Sequence, residues 1–307
     1  MRSTREYLVL VLKGMGMGAA DVVPGVSGGT IALITGVYEE LINSLKSFNA
    51  HSFQTLLSGK IVPFLKQVNF TFLIALFGGI ALSILSLSKA VTYLLEHYPE
   101  YIWAFFFGLI VASALLIGRQ IDKWNAPNII ALLLGTGIAY WITMATPAQT
   151  PEDLWFIFLA GMVAICAMIL PGISGAFILL LMGKYAYIFT AISEFNLKVI
   201  GIFMLGAITG LLSFSHVLSW MFRKYHNLTL ALLSGFMIGS LNKVWPWKIT
   251  DSWRINSKGV EVPFLQHNVY PGETGTDHLI WLAIVWAVVG FVVVWVLERV
   301  SPEITRS

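Results

Sequence analysis

The stretches VVPGVSGG at 22–29 and ILPGISGA at 169–176 decide how this chain folds. Each interrupts a long apolar segment, 8–41 and 154–192, near its middle. Proline removes a backbone donor and clashes with the preceding turn, so a helix breaks or kinks there. Glycines around a small polar residue permit a sharp reversal. Each segment is expected to be a re-entrant hairpin of two half-helices, entering and leaving on one side of a membrane. The alternative is a pair of kinked or short spans.

The rest of the chain supplies the membrane. Of 307 residues, 57% are hydrophobic and 11% are charged, against about 25% charged in soluble domains. Mean hydropathy is +0.78. These values exclude a soluble enzyme, a disordered regulator and a fibrous protein. Six further apolar stretches, 68–95, 101–118, 128–145, 198–222, 228–242 and 279–297, approach the roughly 20 residues that cross a hydrocarbon core. The net charge of +3 is too small to point to nucleic acid. The single cysteine, Cys166, reads as a small packing residue and excludes an intrachain disulfide. No clean apolar core follows Arg2, Arg5 and Lys13, so the N-terminus is not expected to be a cleaved signal.

The two breaks are related by an offset of 147 residues, and 14–38 matches 161–185 at eleven of 25 positions. The match includes Pro24/Pro171, Gly25/Gly172, Ser27/Ser174 and Gly28/Gly175. After a shorter linker it continues at an offset of 127, as in Gly79/Gly206, Ser86/Ser213 and Gly108/Gly235. The expected organisation is two repeats, 1–145 and 146–307, each a hairpin plus three crossings. Three is odd, so the second repeat is inverted. The fold class is an all-α polytopic membrane protein with an inverted repeat.

Charge placement gives the same inversion independently. With the N-terminus inside, Lys46, Lys60, Lys66, Arg119, Lys123, Arg223 and Lys224 all fall inside. The loops at 96–100 and 146–153 hold no Lys or Arg and fall outside. The outer loop 243–278 is charge-balanced and holds Trp245, Trp247 and Trp253, which suit the headgroup level. Inverted repeats with interrupted helices at matching places point to a transporter with a site near the midplane.

At each tip a helix restarts, and its first turn exposes backbone N–H groups with no partner within the helix. The dipole adds partial positive charge there. Gly25, Ser27, Gly28, Gly29 and Thr30, with Gly172, Ser174 and Gly175, therefore make a candidate site for phosphate or carboxylate. The alternative is that the serines only cap and the glycines only let the tips pack. Lys89 and His216 occupy equivalent places at the 127 offset and are candidate positive charges for the same anion. Their alternative is snorkelling to the interface. Arg119 and Lys184 read as interfacial anchors. Asp21, with Met168 at its place in the second copy, and Glu39, beside Glu40, are candidate coupling acids for a proton or sodium ion. Asp21 can also simply cap or pair. No pattern calls for a cofactor or metal, and none specifies an oligomeric state.

The string GMGAADVVPGVSGGTIALITGVYEELI at 16–42 resembles the signature of a bacterial membrane family, the polyprenyl-phosphate transporters, long known only as a domain of unknown function. The resemblance covers essentially the whole chain, and its PGVSGGT block is specific. It implies a carrier that flips undecaprenyl phosphate from the outer to the inner leaflet of the cytoplasmic membrane for reuse in cell-envelope synthesis. The implied site falls on Pro24, Gly25, Ser27, Gly28, Gly29 and Thr30, and on Pro171, Gly172, Ser174 and Gly175. Family members often carry Asn where this chain has Asp21, which bears on any coupling role. The residues themselves yield a transporter with an anion site; the polyprenyl tail comes from the resemblance alone. Two other classes share features: a small-anion carrier or channel, which needs no lateral opening, and a lipid-phosphate phosphatase. The phosphatase would need a nucleophile with an activating base, and no such arrangement is evident in the sequence.

Overall fold

The structure, a computed structural model, describes residues 2–23, 25–255, 261–271, 273 and 280–300. Pro24, Leu279 and parts of the 243–278 loop lie outside them. Helix α1 spans Thr4–Asp21, α2 Gly28–Ile34, α3 Tyr38–Lys46, α4 Ala50–Leu57, α5 Ile61–Gln67, α6 Phe70–His97, α7 Pro99–Arg119 and α8 Ala126–Met144. There follow α9 Leu154–Ile169, α10 Gly175–Leu181, α11 Tyr185–Ser193, α12 Leu197–Lys224 and α13 His226–Ser240. A hairpin of β1 Lys248–Ile255 and β2 Glu261–Asn268 precedes α14 Ile280–Val300.

Local chemistry sets the ends. The Ser3 hydroxyl accepts the Glu6 N–H while the Glu6 carboxylate accepts the Ser3 N–H, a reciprocal cap that starts α1. Asn125 caps α8 through the Asn128 N–H at 3.1 Å. Between α6 and α7, Tyr98 breaks the helix at φ −139° and Pro99 begins the next, where its missing N–H costs nothing. Tyr225 repeats that conformation between α12 and α13, at φ −138°.

Among the described residues five helices are long and apolar enough to cross a bilayer: α6, α7, α8, α12 and α14. The number rises to six if α10 and α11, bent by 107° at their break, are counted as one. The expected span at 228–242 is instead the 15-residue α13. At 1.5 Å per residue it is only about 22 Å long. It lies enclosed, with Leu230, Ala231, Leu233, Ser234 and Met237 all buried. A helix walled in by protein need not match the hydrocarbon thickness itself.

The sequence leads one to expect two half-helices in each broken segment, and the structure has three pieces in each: α1, α2, α3 and α9, α10, α11. A second break follows the first, at Gly36 (φ 72°) and Gly183 (φ 64°). These are left-handed positions that end the short helix. The helix bounds obey the sequence offsets. Displaced by 147 residues, α2 and α3 land on α10 and α11; displaced by 127, α6 lands on α12.

The helices approach through glycine, as apolar helices in lipid do when close packing drives association. A Cβ on Gly14 or Gly79 would strike the Leu76 or Val11 carbonyl across the α1–α6 contact. Gly161 and Gly206 face Phe203 and Phe158 in the same way across α9–α12. The middle helices pair differently. Gly108 of α7 meets Ala287 of α14, and Gly235 of α13 meets Leu132 of α8. Each of these pairs joins a helix before residue 145 to one after it.

The β-hairpin was not foreseen in an all-α reading. β1 and β2 run antiparallel, from Lys248 opposite Asn268 to Ile255 opposite Glu261. Its base is packed rather than free. Trp247 is buried with Ala104, Val269 and Ala283, and the Trp245 Nε1 donates to the Val269 carbonyl at 2.9 Å. Of the three tryptophans expected at headgroup level, only Trp253 is exposed.

Candidate substrate site

The two tips touch. The Thr30 Oγ1 accepts the Gly172 N–H at 3.0 Å, and the Ser27 hydroxyl donates to the Met168 carbonyl at 3.0 Å. The Tyr38 hydroxyl donates to the Ile169 carbonyl at 3.2 Å. Gly29 sits against the same carbonyl so closely that a Cβ there would collide with it. Ser27, Thr30 and Tyr38 are essentially inaccessible. Hydroxyls from one break thus satisfy the backbone of the other.

Gly25 and Gly172 both take left-handed backbone, at φ 86° and 81°. A side chain at Gly172 would also run into the Phe236 carbonyl and the Ser240 hydroxyl, each 2.8 Å from its Cβ. Glycine is demanded there twice, by conformation and by space.

The tips are alike in sequence and unlike in chemistry. At α2 the Gly28 N–H donates to Asp21 Oδ1 at 2.7 Å, and the Gly29 N–H donates to Ser27 Oγ at 3.1 Å. The first turn therefore already holds a carboxylate of the protein's own. At α10 Ser174 is buried but makes no side-chain cap, and Met168 stands where Asp21 would be. Gly175 packs against the Ala164 carbonyl and Met168.

The remaining expected residues lie elsewhere. Lys89 on α6 and His216 on α12 are exposed, and the structure does not bring them to the tips; His216 Nδ1 is 2.7 Å from the Leu212 carbonyl. Glu39 is exposed and pairs with His226 at 3.1 Å. Glu40 receives Arg2 and the Asn69 amide. Arg119 is exposed, but Lys184, expected as an interfacial anchor, is 2% exposed. Its ammonium donates to the Thr150 carbonyl at 2.7 Å and lies over the rings of Phe156 and Tyr187. A buried ammonium needs such a carbonyl, because the interface water it would otherwise reach is excluded.

One basic residue beside the tips escaped the sequence reading, which left it in the outer loop. The Lys243 stem lies against Gly25, with Cγ 2.6 Å from where a Cβ would stand, and its ammonium sits 4.6 Å above the Phe177 ring of α10. Its N–H donates to the Ser240 carbonyl at 2.8 Å, and its own carbonyl accepts the Lys248 ammonium at 2.6 Å. Lys248 in turn lies 3.8 Å above the Trp103 ring. Burial pulls the Lys243 ammonium below the usual lysine range. Burial, and then the charge of Lys243, pull Lys248 well below it. Only the contact of α13's end with both tips marks Lys243, and no local motif announces that contact.

Apolar helices of spanning length, two broken segments and tips joined to each other define a multi-pass helical membrane protein with paired helix breaks. The chain belongs to the VCA0040-like family, described as undecaprenyl phosphate translocase-like, whose model matches residues 17–262. It is 48% identical over 273 residues to a polyprenyl-phosphate transporter of Vibrio cholerae serotype O1, covering 89% of each chain. It is 31% identical over 254 residues to a polyprenyl-phosphate transporter of Staphylococcus aureus, covering 77% of this chain and 85% of the relative. No solved structure matches it.

Proposed function

We propose that this protein flips polyprenyl monophosphate, undecaprenyl phosphate above all, from the outer to the inner leaflet of the bacterial cytoplasmic membrane. The carrier lipid is thereby returned for another round of cell-envelope synthesis. The observation that carries the reading is the junction of the tips, where Thr30 holds Gly172 and Ser27 holds Met168. In this reading the halves 1–145 and 146–307 are inverted repeats, each with a re-entrant hairpin, and both termini are cytoplasmic. The joined tips are the closed gate of an alternating-access cycle.

The phosphate binds where the tips part. Ser27, Thr30 and Ser174 offer hydroxyls, and Gly25, Gly28, Gly29, Gly172 and Gly175 let it approach the backbone. The tail stays in lipid. Lys89 lies toward the outer end of α6 and His216 toward the inner end of α12. Both are exposed, and they meet the headgroup at the lipid-facing surface on loading and on release. Asp21 competes with the phosphate for the N–H groups of α2. Protonating it removes that competitor, which couples a proton to binding; Glu39 is a second candidate for that role.

The test is reconstitution. Purified protein in liposomes should move labelled polyprenyl phosphate between leaflets, and Ser27→Ala with Ser174→Ala should slow it. Unchanged rates in the double variant would remove the tips from the mechanism. Transport of inorganic phosphate undiminished by excess lipid would point to a small-anion carrier instead.

A further inference from the structure

We propose that Lys243 grips the phosphate monoester at the point where the two tips meet. The assignment rests on the transporter reading but names a residue outside both broken segments.

Three observations carry it. The first is position. Lys243 touches Gly25 at the first tip and lies over Phe177, two residues beyond the start of α10 at the second. One side chain thus reaches from the first break to the second. The second is charge. Arg2–Glu40, His226–Glu39 and His267–Asp251 are ion pairs of the described residues, and none takes in Lys243 or Lys248. Among the described residues neither Lys243 nor Lys248 has a carboxylate partner, and the two are close enough for one to depress the other. Two neighbouring half-buried cations without a described acid beside them favour an anion, since charge partly withdrawn from water is costly unless it is compensated. A phosphate monoester carries about −1.5 to −2 at neutral pH and matches the pair. The third is aim. Phe177 supports the ammonium from one side, while its three N–H donors make no hydrogen bond to any described residue. Lys248 pins the Lys243 carbonyl, so the backbone beneath the side chain is fixed.

Binding to purified full-length protein would be measured by calorimetry with two probes, polyprenyl phosphate and inorganic phosphate. Lys243→Gln should weaken phosphate-headed lipid by about tenfold or more, as expected for one lost charge-assisted hydrogen bond. Lys243→Arg should keep most of the affinity, and both variants should melt with the wild type. A wild-type measurement guards against misfolding. Bound phosphate lipid should shield Lys243 from reductive methylation, read by mass spectrometry, and polyprenol with no phosphate should not. Full affinity in folded Lys243→Gln, or no shielding in wild type, overturns the assignment. If wild type translocates lipid while Lys243→Gln binds normally, only the lysine assignment fails. If wild type translocates none, yet inorganic phosphate shields Lys243 and binds more weakly to Lys243→Gln, the transporter reading fails and the anion site stands with free phosphate as its ligand.

Discussion

The Thr30 hydroxyl oxygen accepts the Gly172 N–H at 3.0 Å across 142 residues of chain. Removing it leaves a buried donor without a partner, at a cost of about 1–3 kcal/mol. Thr30→Val keeps the shape and loses the acceptor, so it should lower the melting temperature in detergent by several degrees. Thr30→Ser should restore most of it. Equal melting of Thr30→Val and wild type would show that this bond does not hold the tips.

Gly172 gives a sharper contrast. Gly172→Ala must place a side chain at φ 81°, against Phe236 and Ser240. Left-handed backbone alone costs roughly 1–2 kcal/mol, and the clash adds to it. Gly78 lies inside α6 with nothing near its Cβ position. Gly78→Ala should be neutral or stabilising by up to about 1 kcal/mol, following helix propensity. Thermal melts should therefore show a clear drop for Gly172→Ala and none for Gly78→Ala.

Asp21 separates capping from coupling. Asp21→Asn retains an oxygen for the Gly28 N–H and should fold as well as wild type, whereas Asp21→Ala should lose about 0.5–2 kcal/mol. If Asp21 carries the coupling proton, Asp21→Asn should flatten the pH dependence of lipid translocation without unfolding the protein. An unchanged pH profile leaves Asp21 as a cap alone.

Lys89 and His216 should act on opposite legs. Lys89→Ala should slow movement of lipid supplied in the outer leaflet, and His216→Ala movement of lipid supplied in the inner one. Leaflet-specific quenching of a labelled lipid reads both. A symmetric effect, or none, removes the exposed pair from the transport path.

Much of this architecture is written in the chain because its two broken segments match each other in sequence. The Pro-Gly breaks, the 147 and 127 offsets and the apolar lengths locate α2, α6, α10 and α12 within a few residues. What the sequence hides depends on contacts. The second breaks at Gly36 and Gly183 look like ordinary glycines in an apolar run until a left-handed turn is needed there. α13 reads as a marginal span because its burial, which permits 15 residues, comes from partners distant in sequence. In the site, the glycines and serines are legible from their motif. The inequality of the tips follows from Asp21 against Met168, already visible as a mismatch in the repeat. Lys243 is invisible locally, since a lysine after a span looks like any loop charge.

The pairing of α7 with α14 has a consequence for how the protein is made. Gly108 and Ala287 are about 180 residues apart. At roughly 5–20 residues per second, the ribosome needs on the order of 10–40 s to deliver the partner that α7 awaits. During that interval the face of α7 around Gly108 stands open in the bilayer. The nascent first half is thus an unfinished object that must be kept from wrong helices until the last segment arrives. A chain cut before α14 should consequently be a target for membrane proteolysis rather than a working half.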